Sequence, residues 1–373
     1  MANSPWYPLS QPEYTDSPAL LVYPDRIRYN IKEMISVVGH ADRLVPHIKT
    51  HKMSEVVKLQ MAAGIRRFKC ATIAEAEVLA QTGAHEVLLA YQLTGPKILR
   101  YVQLIKKYST VHFSSLVDNR KSANDLNDLF LLAGIQGTVY IDIDNGMHRT
   151  GFPSHGDVLS FYKAIMSLSN ISCKGLHVYD GHINEKDFEK RKIKCETDFK
   201  PIEKVIKQIV ASGFPMPEVI AGGSPTFPIH ALTPHVLCSP GTVLLWDYGY
   251  GNLLQEQSFL PAAILMTRII SKPTPYIITA DLGYKSVAAE NAINKRISFL
   301  NLSDYTLTSQ SEEHLSLQVN EKNWHHLEIG DVLYGIPYHV CPTVALYDEV
   351  QVVKNGDIIG QWQVEARRRK IGM

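Results

Sequence analysis

The sequence predicts an α/β protein, a (β/α)8 TIM barrel followed by a C-terminal all-β domain. Three observations predict it. Short apolar runs of strand length alternate about eight times with amphipathic helical stretches. Gly64, Gly83, Gly134 and Gly213 stand at or just beyond the ends of those helical stretches, as C-cap chemistry requires. Beyond about residue 255 the pattern becomes strand-like alternation broken by Gly, Pro and Asn-Gly signals. A doubly wound open sheet is the competing architecture. It usually carries a Gly-rich phosphate turn after its first strand, and none is present here.

The elements follow in order. Residues 14–23 read as a turn and a short strand, and 1–23 are expected as an N-terminal segment packing with the β domain. The barrel is expected over 24–251. Pro24 opens a helix whose Ile27, Ile31, Met34, Ile35 and Val38 keep the helical period. Strands are predicted at 44–49, 67–71, 86–91, 111–116, 138–144, 171–179, 217–222 and 235–242, and helices at 72–82, 97–108, 121–132, 157–168 and within 185–212. After the first strand, Ser54 reads as an N-cap for a helix closing at Gly64. The β domain is expected over 252–373, with Asn355-Gly356 closing a hairpin.

Composition narrows the function classes. With 373 residues, 45% hydrophobic and 20% charged, the chain is long enough for one large and one smaller domain. Lys+Arg 38 against Asp+Glu 37 leaves no field that would steer it to nucleic acid or an anionic membrane. No apolar run reaches membrane-spanning length, and the N-terminus lacks the pattern of a signal peptide. Five scattered cysteines argue for a reducing compartment, the cytoplasm.

Chemistry-bearing residues cluster where the predicted strands end. In Pro46-His47-Ile48-Lys49-Thr50-His51-Lys52, an amine projected from a strand end into a pocket can lose its proton at neutral pH, as a Schiff-base lysine requires. The Asp144–Phe152 stretch presents Arg149 between two glycines; the plain alternative is a structural pair with Asp144. His177-Val178-Tyr179-Asp180 places His177 and Tyr179 on one strand face. Gly222-Gly223-Ser224 and Gly241-Thr242 are turns whose N–H groups suit a phosphate, at the strands where this fold often binds one. In the β domain, His339 and Cys341 lie two apart on a segment read as extended, so both can point at one metal ion. A thiolate–imidazole pair favours Zn²⁺. The spacing by itself fits a buried Cys beside a chance His equally well.

Together these residues resemble the fold-type III pyridoxal-phosphate enzymes, and more narrowly their D-threonine aldolase and D-serine dehydratase branch, over nearly the whole chain. The resemblance implies pyridoxal 5′-phosphate on Lys49 rather than Lys52, with Arg149 at its phenolic oxygen. It implies His47 and Tyr179 lining the cofactor, Gly222, Gly223, Ser224, Gly241 and Thr242 at its phosphate, and Tyr179 and His177 beside Lys49 as catalytic groups. His339 and Cys341 match the branch's metal pair, implying a divalent ion, Zn²⁺ or else Mn²⁺. The segment Asp281–Ser286 with Glu290, and the closing Trp362 to Arg367, look more like the aldolases, whereas His-x-Cys is the dehydratase pattern. The implied function is a lyase on a small D-3-hydroxy amino acid, aldolase-like, with a dehydratase as the alternative. An amino-acid racemase or a non-catalytic cofactor carrier are further alternatives. A homodimer is implied as well.

Overall fold

Chain order in the computed structural model, which describes residues 5–372, begins with strand β1 (Ala19–Val22) and helix α1 (Pro24–Val38). Helix α2 (Ser54–Ala62) is followed by an alternation: β2 (Arg67–Cys70), α3 (Ile73–Thr82), β3 (Glu86–Gln92), α4 (Pro96–Lys107), β4 (His112–Val117), α5 (Arg120–Ala133) and β5 (Gly137–Asp144). After the short β6 (Phe152–Pro153) come α6 (Val158–Met166), β7 (Ile171–Val178), α7 (Phe188–Ala211), β8 (Glu218–Ala221), α8 (Phe227–His230) and β9 (Val236–Cys238). The β-rich remainder holds α9 (Tyr248–Leu253), β10 (Ala263–Thr274), β11 (Ile277–Ala280), β12 (Ile297–Phe299), β13 (Tyr305–Gln310) and β14 (Leu315–Val319). It ends with α10 (Glu321–His326), β15 (Val332–Pro337), α11 (Val340–Val344), β16 (Glu349–Lys354) and β17 (Asp357–Gln363).

Two units result. Among the described residues, one comprises Lys32–Lys49, Val57–Gly241 and those from Arg368 on; the other comprises those up to Ile31, Thr50–Val56 and Thr242–Arg367. In the first unit the strands run parallel in the order β2-β3-β4-β5-β7-β8-β9. Residues 44–48 close the gap: Leu44 bridges Cys238 of β9 and His47 bridges Lys69 of β2. The expected first strand is therefore two isolated bridges leading into a turn, because Pro46 offers no N–H for a continuous ladder. Val45, Leu88, Leu116, Tyr140 and Ile220, one from each of five positions round the ring, pack together as a buried cluster. That arrangement is the filled interior of a barrel. Positive φ angles at Gly83 and Gly134 end α3 and α5 as predicted.

The second unit is built on a sheet ordered β13-β14-β11-β10-β1-β16-β17, with β15 joining β10 to β12. β1 pairs antiparallel with β10 and parallel with β16. Leu9, Leu21 and Tyr23 share a core with Ile264, Met266, Tyr334, Ile336 and Val353. Asn355 and Gly356, both at positive φ, turn β16 into β17. Sequence reading and structure part here as well. Ser54 is the first residue of α2 rather than its cap, and its N–H and hydroxyl donate to the Glu365 carboxylate. β12 and β13 escaped prediction, and this unit carries the short helices α9, α10 and α11, so it is mostly rather than wholly β.

Candidate active site

Each barrel strand delivers its next residues to one end of the ring, and the polar side chains converge there. Tyr179, directly after β7, has its ring centroid 5.6 Å from Lys49 Nζ, 5.4 Å from Lys69 Nζ and 5.1 Å from Arg149 Cζ. Two amines and a guanidinium gathered around one aromatic ring suit an anionic, planar ligand. The Lys49 N–H donates to His47 Nδ1 at 3.2 Å, which fixes the imidazole beside the lysine backbone. Arg149 is not held by Asp144 as the plain reading supposed. Asp144 instead accepts from Gly146 N–H and His148 N–H and pairs with the His148 ring.

Behind Tyr179 lies a buried chain of donors and acceptors. His177 Nδ1 bonds Asp142 Oδ1 at 2.7 Å, and its Nε2 lies 3.5 Å from Lys69 Nζ. Asp142 Oδ2 accepts from Gln92 and from the Thr150 hydroxyl. Burial raises the Asp142 pKa, but the His177 bond and charge outweigh it and hold the carboxyl below its usual range. Burial lowers the His177 pKa, so the ring is neutral with its proton on Nδ1. Burial, helped by the charge of Lys49, lowers the Lys69 pKa to about 7, against Asp180 and Asp142, which raise it.

The glycine turn after β8 is set by Asp180, a carboxylate with no exposed surface. Its Oδ1 accepts from Gly223 N–H (3.3 Å) and the Thr226 hydroxyl (2.7 Å), and its Oδ2 from His230 Nε2 (2.7 Å). Cys195 Sγ lies 3.3 Å from His230 Nε2. These three groups are near enough to share a cation. Burial raises the Cys195 pKa, however, so the thiol keeps its proton, and hydrogen bonds already use the carboxylate lone pairs. Gly222 sits at φ +75°, and a Cβ there would meet Phe227 Cα at 2.7 Å, so only glycine makes the turn. Ser239 N–H donates to the carbonyls of Ala221 and Gly222, while its buried hydroxyl has no partner among the described residues. An orphaned hydroxyl beside a glycine turn, with two amines and a guanidinium nearby in the same unit, fits a phosphorylated aldehyde cofactor.

The β unit gathers a second set. His339 precedes α11 and Cys341 lies in its first turn, so the pair is not on an extended segment as expected. The cause is Asp247, whose carboxylate accepts the Val340 N–H at 3.1 Å and starts the helix. Cys341 Sγ lies 3.2 Å from the Thr50 hydroxyl and 3.5 Å from that of Thr242. His339 Nδ1 bonds Glu290 at 2.5 Å. Burial alone would lower the His339 pKa, yet the Cys341 hydrogen bond and charge, then Glu290, raise it to about 9. Burial likewise raises the Cys341 pKa, and the His339 bond outweighs that and lowers it. A cysteine sulfur and a histidine ring already drawn together are the donor types that suit a soft divalent ion. Thr242, which the sequence suggested for a phosphate turn, therefore lies against Cys341. Lys69, Asp142, Asp180, His230, Thr50 and Asp247 were not among the predicted site residues.

The alanine racemase N-terminal-domain model matches residues 22–249. The chain belongs to that family. Membership supports pyridoxal phosphate as the cofactor of the barrel. A second model, for a D-serine dehydratase domain, matches residues 262–353. Similarity to a D-threonine aldolase from Arthrobacter sp. spans 94% of this chain and 93% of that protein at 25% identity. Among solved structures, the D-threonine aldolase from Filomicrobium marinum superposes with a TM-score of 0.87 at 23% identity, covering 95% of this chain and 96% of its own. The D-threo-3-hydroxyaspartate dehydratase from Delftia sp. HT23 gives 0.83 at 20% identity, covering 94% and 97%. At such identities the two structures establish the shared alanine racemase-like fold.

Proposed function

We propose that this protein is a pyridoxal-phosphate- and divalent-metal-dependent lyase for D-3-hydroxy amino acids. Its reaction is that of a D-threonine aldolase, cleaving Cα–Cβ to give glycine and an aldehyde. The observation that carries this reading is the ring of Lys49, Lys69 and Arg149 around Tyr179 at the strand ends. The reading is supported by a relative of that activity matched almost end to end.

In it, Lys49 would hold the cofactor through its aldehyde, Arg149 would bind its phenolic oxygen, and Tyr179 and His47 would line its ring. Gly222, Gly223 and Ser224, with Gly241 and Thr242, would hold its phosphate. Pyridoxal phosphate, when bound, supplies an electron sink for the pair left at the substrate's Cα. His177 keeps a neutral Nε2 in the site through its bond to Asp142. His339 and Cys341 would hold a divalent ion, Zn²⁺ before Mn²⁺, whose chemistry is Lewis acidity toward the 3-hydroxyl. A homodimer and a cytoplasmic setting belong to the same reading. The second is supported by the absence of a disulfide among the described cysteines. Among the described residues, no helix is long and apolar enough to cross a membrane.

A second reading, dehydration to a 2-oxo acid, is favoured by the thiol in the metal pair and by the dehydratase-type domain over 262–353. Product analysis separates the two. Protein loaded with pyridoxal phosphate and Zn²⁺ or Mn²⁺ is given D-threonine; glycine and acetaldehyde support the aldolase, and 2-oxobutanoate the dehydratase. A chelator is expected to stop either reaction while the visible absorption of the bound cofactor persists. Turnover that survives chelation removes the metal from the scheme. Racemised threonine alone, or no product at all, overturns the lyase.

A further inference from the structure

Two lysines reach the same aromatic ring, and the reading above gives work to only one. Lys69 lies in the middle of β2 between Phe68 and Cys70, both fully buried. Strand alternation turns those neighbours away from the barrel and Lys69 into it. It is 3% exposed, yet among the described residues it makes no ion pair with a carboxylate. Its hydrogen-bond partner is the neutral Nε2 of His177, which is fixed as an acceptor because Nδ1–H is committed to Asp142. A buried ammonium without a bonded counter-charge is costly, whereas a free amine donating one N–H to an imidazole is not. Such an amine keeps its lone pair for chemistry.

We infer that Lys69, oriented by His177 and Asp142, is the proton-transfer group of the reaction, distinct from the cofactor lysine Lys49. The inference rests on the lyase reading. As the free amine, Lys69 takes the proton of the 3-hydroxyl. The O–H pair becomes the second bond of the aldehyde C=O, the Cα–Cβ pair stays with the glycine half, and the resulting ammonium returns the proton to Cα. Nothing is oxidised, and no co-reactant is needed. The charged and titratable groups facing Lys69 are Lys49 and Arg149, which disfavour its ammonium, Asp142 and Asp180, which favour it, and His177. The balance leaves its pKa at about 7, where both forms are available.

The test has two arms. In cofactor-free protein carrying ¹³Cε-labelled lysine, the resonance that disappears in Lys69→Met is followed through a pH titration by NMR. A midpoint near 7, falling further in Asp142→Asn, supports the inference; a midpoint with the bulk lysines, above 9, overturns it. In protein loaded with cofactor and metal, Lys69→Met and Lys69→Arg are expected to keep the visible absorption. Both should lower kcat about 10²–10⁴-fold, and both should lose the rise of kcat with pH near 7. Retained kcat in Lys69→Arg shows that charge rather than proton transfer is required, and it overturns the inference. Failure of the lyase reading is seen separately, as wild-type protein that takes up the cofactor but releases no aldehyde or 2-oxo acid from D-threonine.

Discussion

Asp180 is the residue whose removal should couple barrel stability to cofactor affinity. It has no exposed surface and accepts from Gly223 N–H, the Thr226 hydroxyl and His230 Nε2. Asp180→Ala leaves Gly223 N–H and the Thr226 hydroxyl dry and unpaired and His230 Nε2 with only Cys195 beside it, and breaking a buried charged pair costs about 3–5 kcal/mol. Asp180→Asn keeps an oxygen for Gly223 and Thr226 and inverts only the His230 contact, a loss of about 1–2 kcal/mol. Urea midpoints measured by circular dichroism read the difference. Because Gly223 lies in the glycine turn, Asp180→Ala should also weaken pyridoxal phosphate by about tenfold, or ~1.4 kcal/mol. pH supplies a further check. Burial raises the Asp180 pKa, but the charge and hydrogen bond of His230, then Thr226 and Gly223, outweigh it and leave the folded-state value lowered. A lowered folded value means the contribution is complete above the unfolded pKa, about 3.9, and is lost as pH falls through the folded one. The gap between wild type and Asp180→Asn should therefore narrow in acid. An Asp180→Ala protein within about 0.5 kcal/mol of wild type, with unchanged cofactor affinity, would refute the role assigned to this carboxylate.

Three further substitutions bear on the cofactor. Lys49→Ala should abolish the visible absorption gained on adding pyridoxal phosphate, while Lys52→Ala should leave it. The reverse pattern moves the covalent attachment to Lys52, whose carbonyl accepts the Ala366 N–H and whose φ is +58°. Gly222→Ala places a Cβ 2.7 Å from Phe227 Cα at positive φ. Strain of about 1–3 kcal/mol should appear as roughly 5–150-fold weaker cofactor binding in an absorbance titration. Unchanged affinity would separate the phosphate from this turn.

Most barrel strands were legible because strands buried on both faces leave continuous apolar runs, as in Val87 to Ala90. β12 has only three residues, and β13 buries only Leu307, so neither run carries a period to read. Residues bracketing the strand ends drew notice through their types: Lys49, Arg149, Tyr179 and the glycine turn are chemically conspicuous where the fold collects chemistry. Lys69 was missed because a lone lysine inside an apolar strand looks like the solvent-facing half of the alternation. In a closed ring that half faces inward, and the placement of Lys69 opposite Phe68 and Cys70 was the available signal. Asp180, Cys195 and His230 meet from three separate elements, so no spacing announces them. The His339-x-Cys341 geometry was misread because the helix start depends on Asp247, ninety-three residues away from Val340.

The seam at residues 44–48 has its own physical meaning. Four backbone hydrogen bonds span it: Val45 N–H to Cys238 and His47 N–H to Pro240 on one flank, and Ile48 N–H to Lys69 and Lys69 N–H to Pro46 on the other. With them in place the parallel sheet is a cylinder without a raw edge, leaving no strip of unpaired amides for another chain to zip onto.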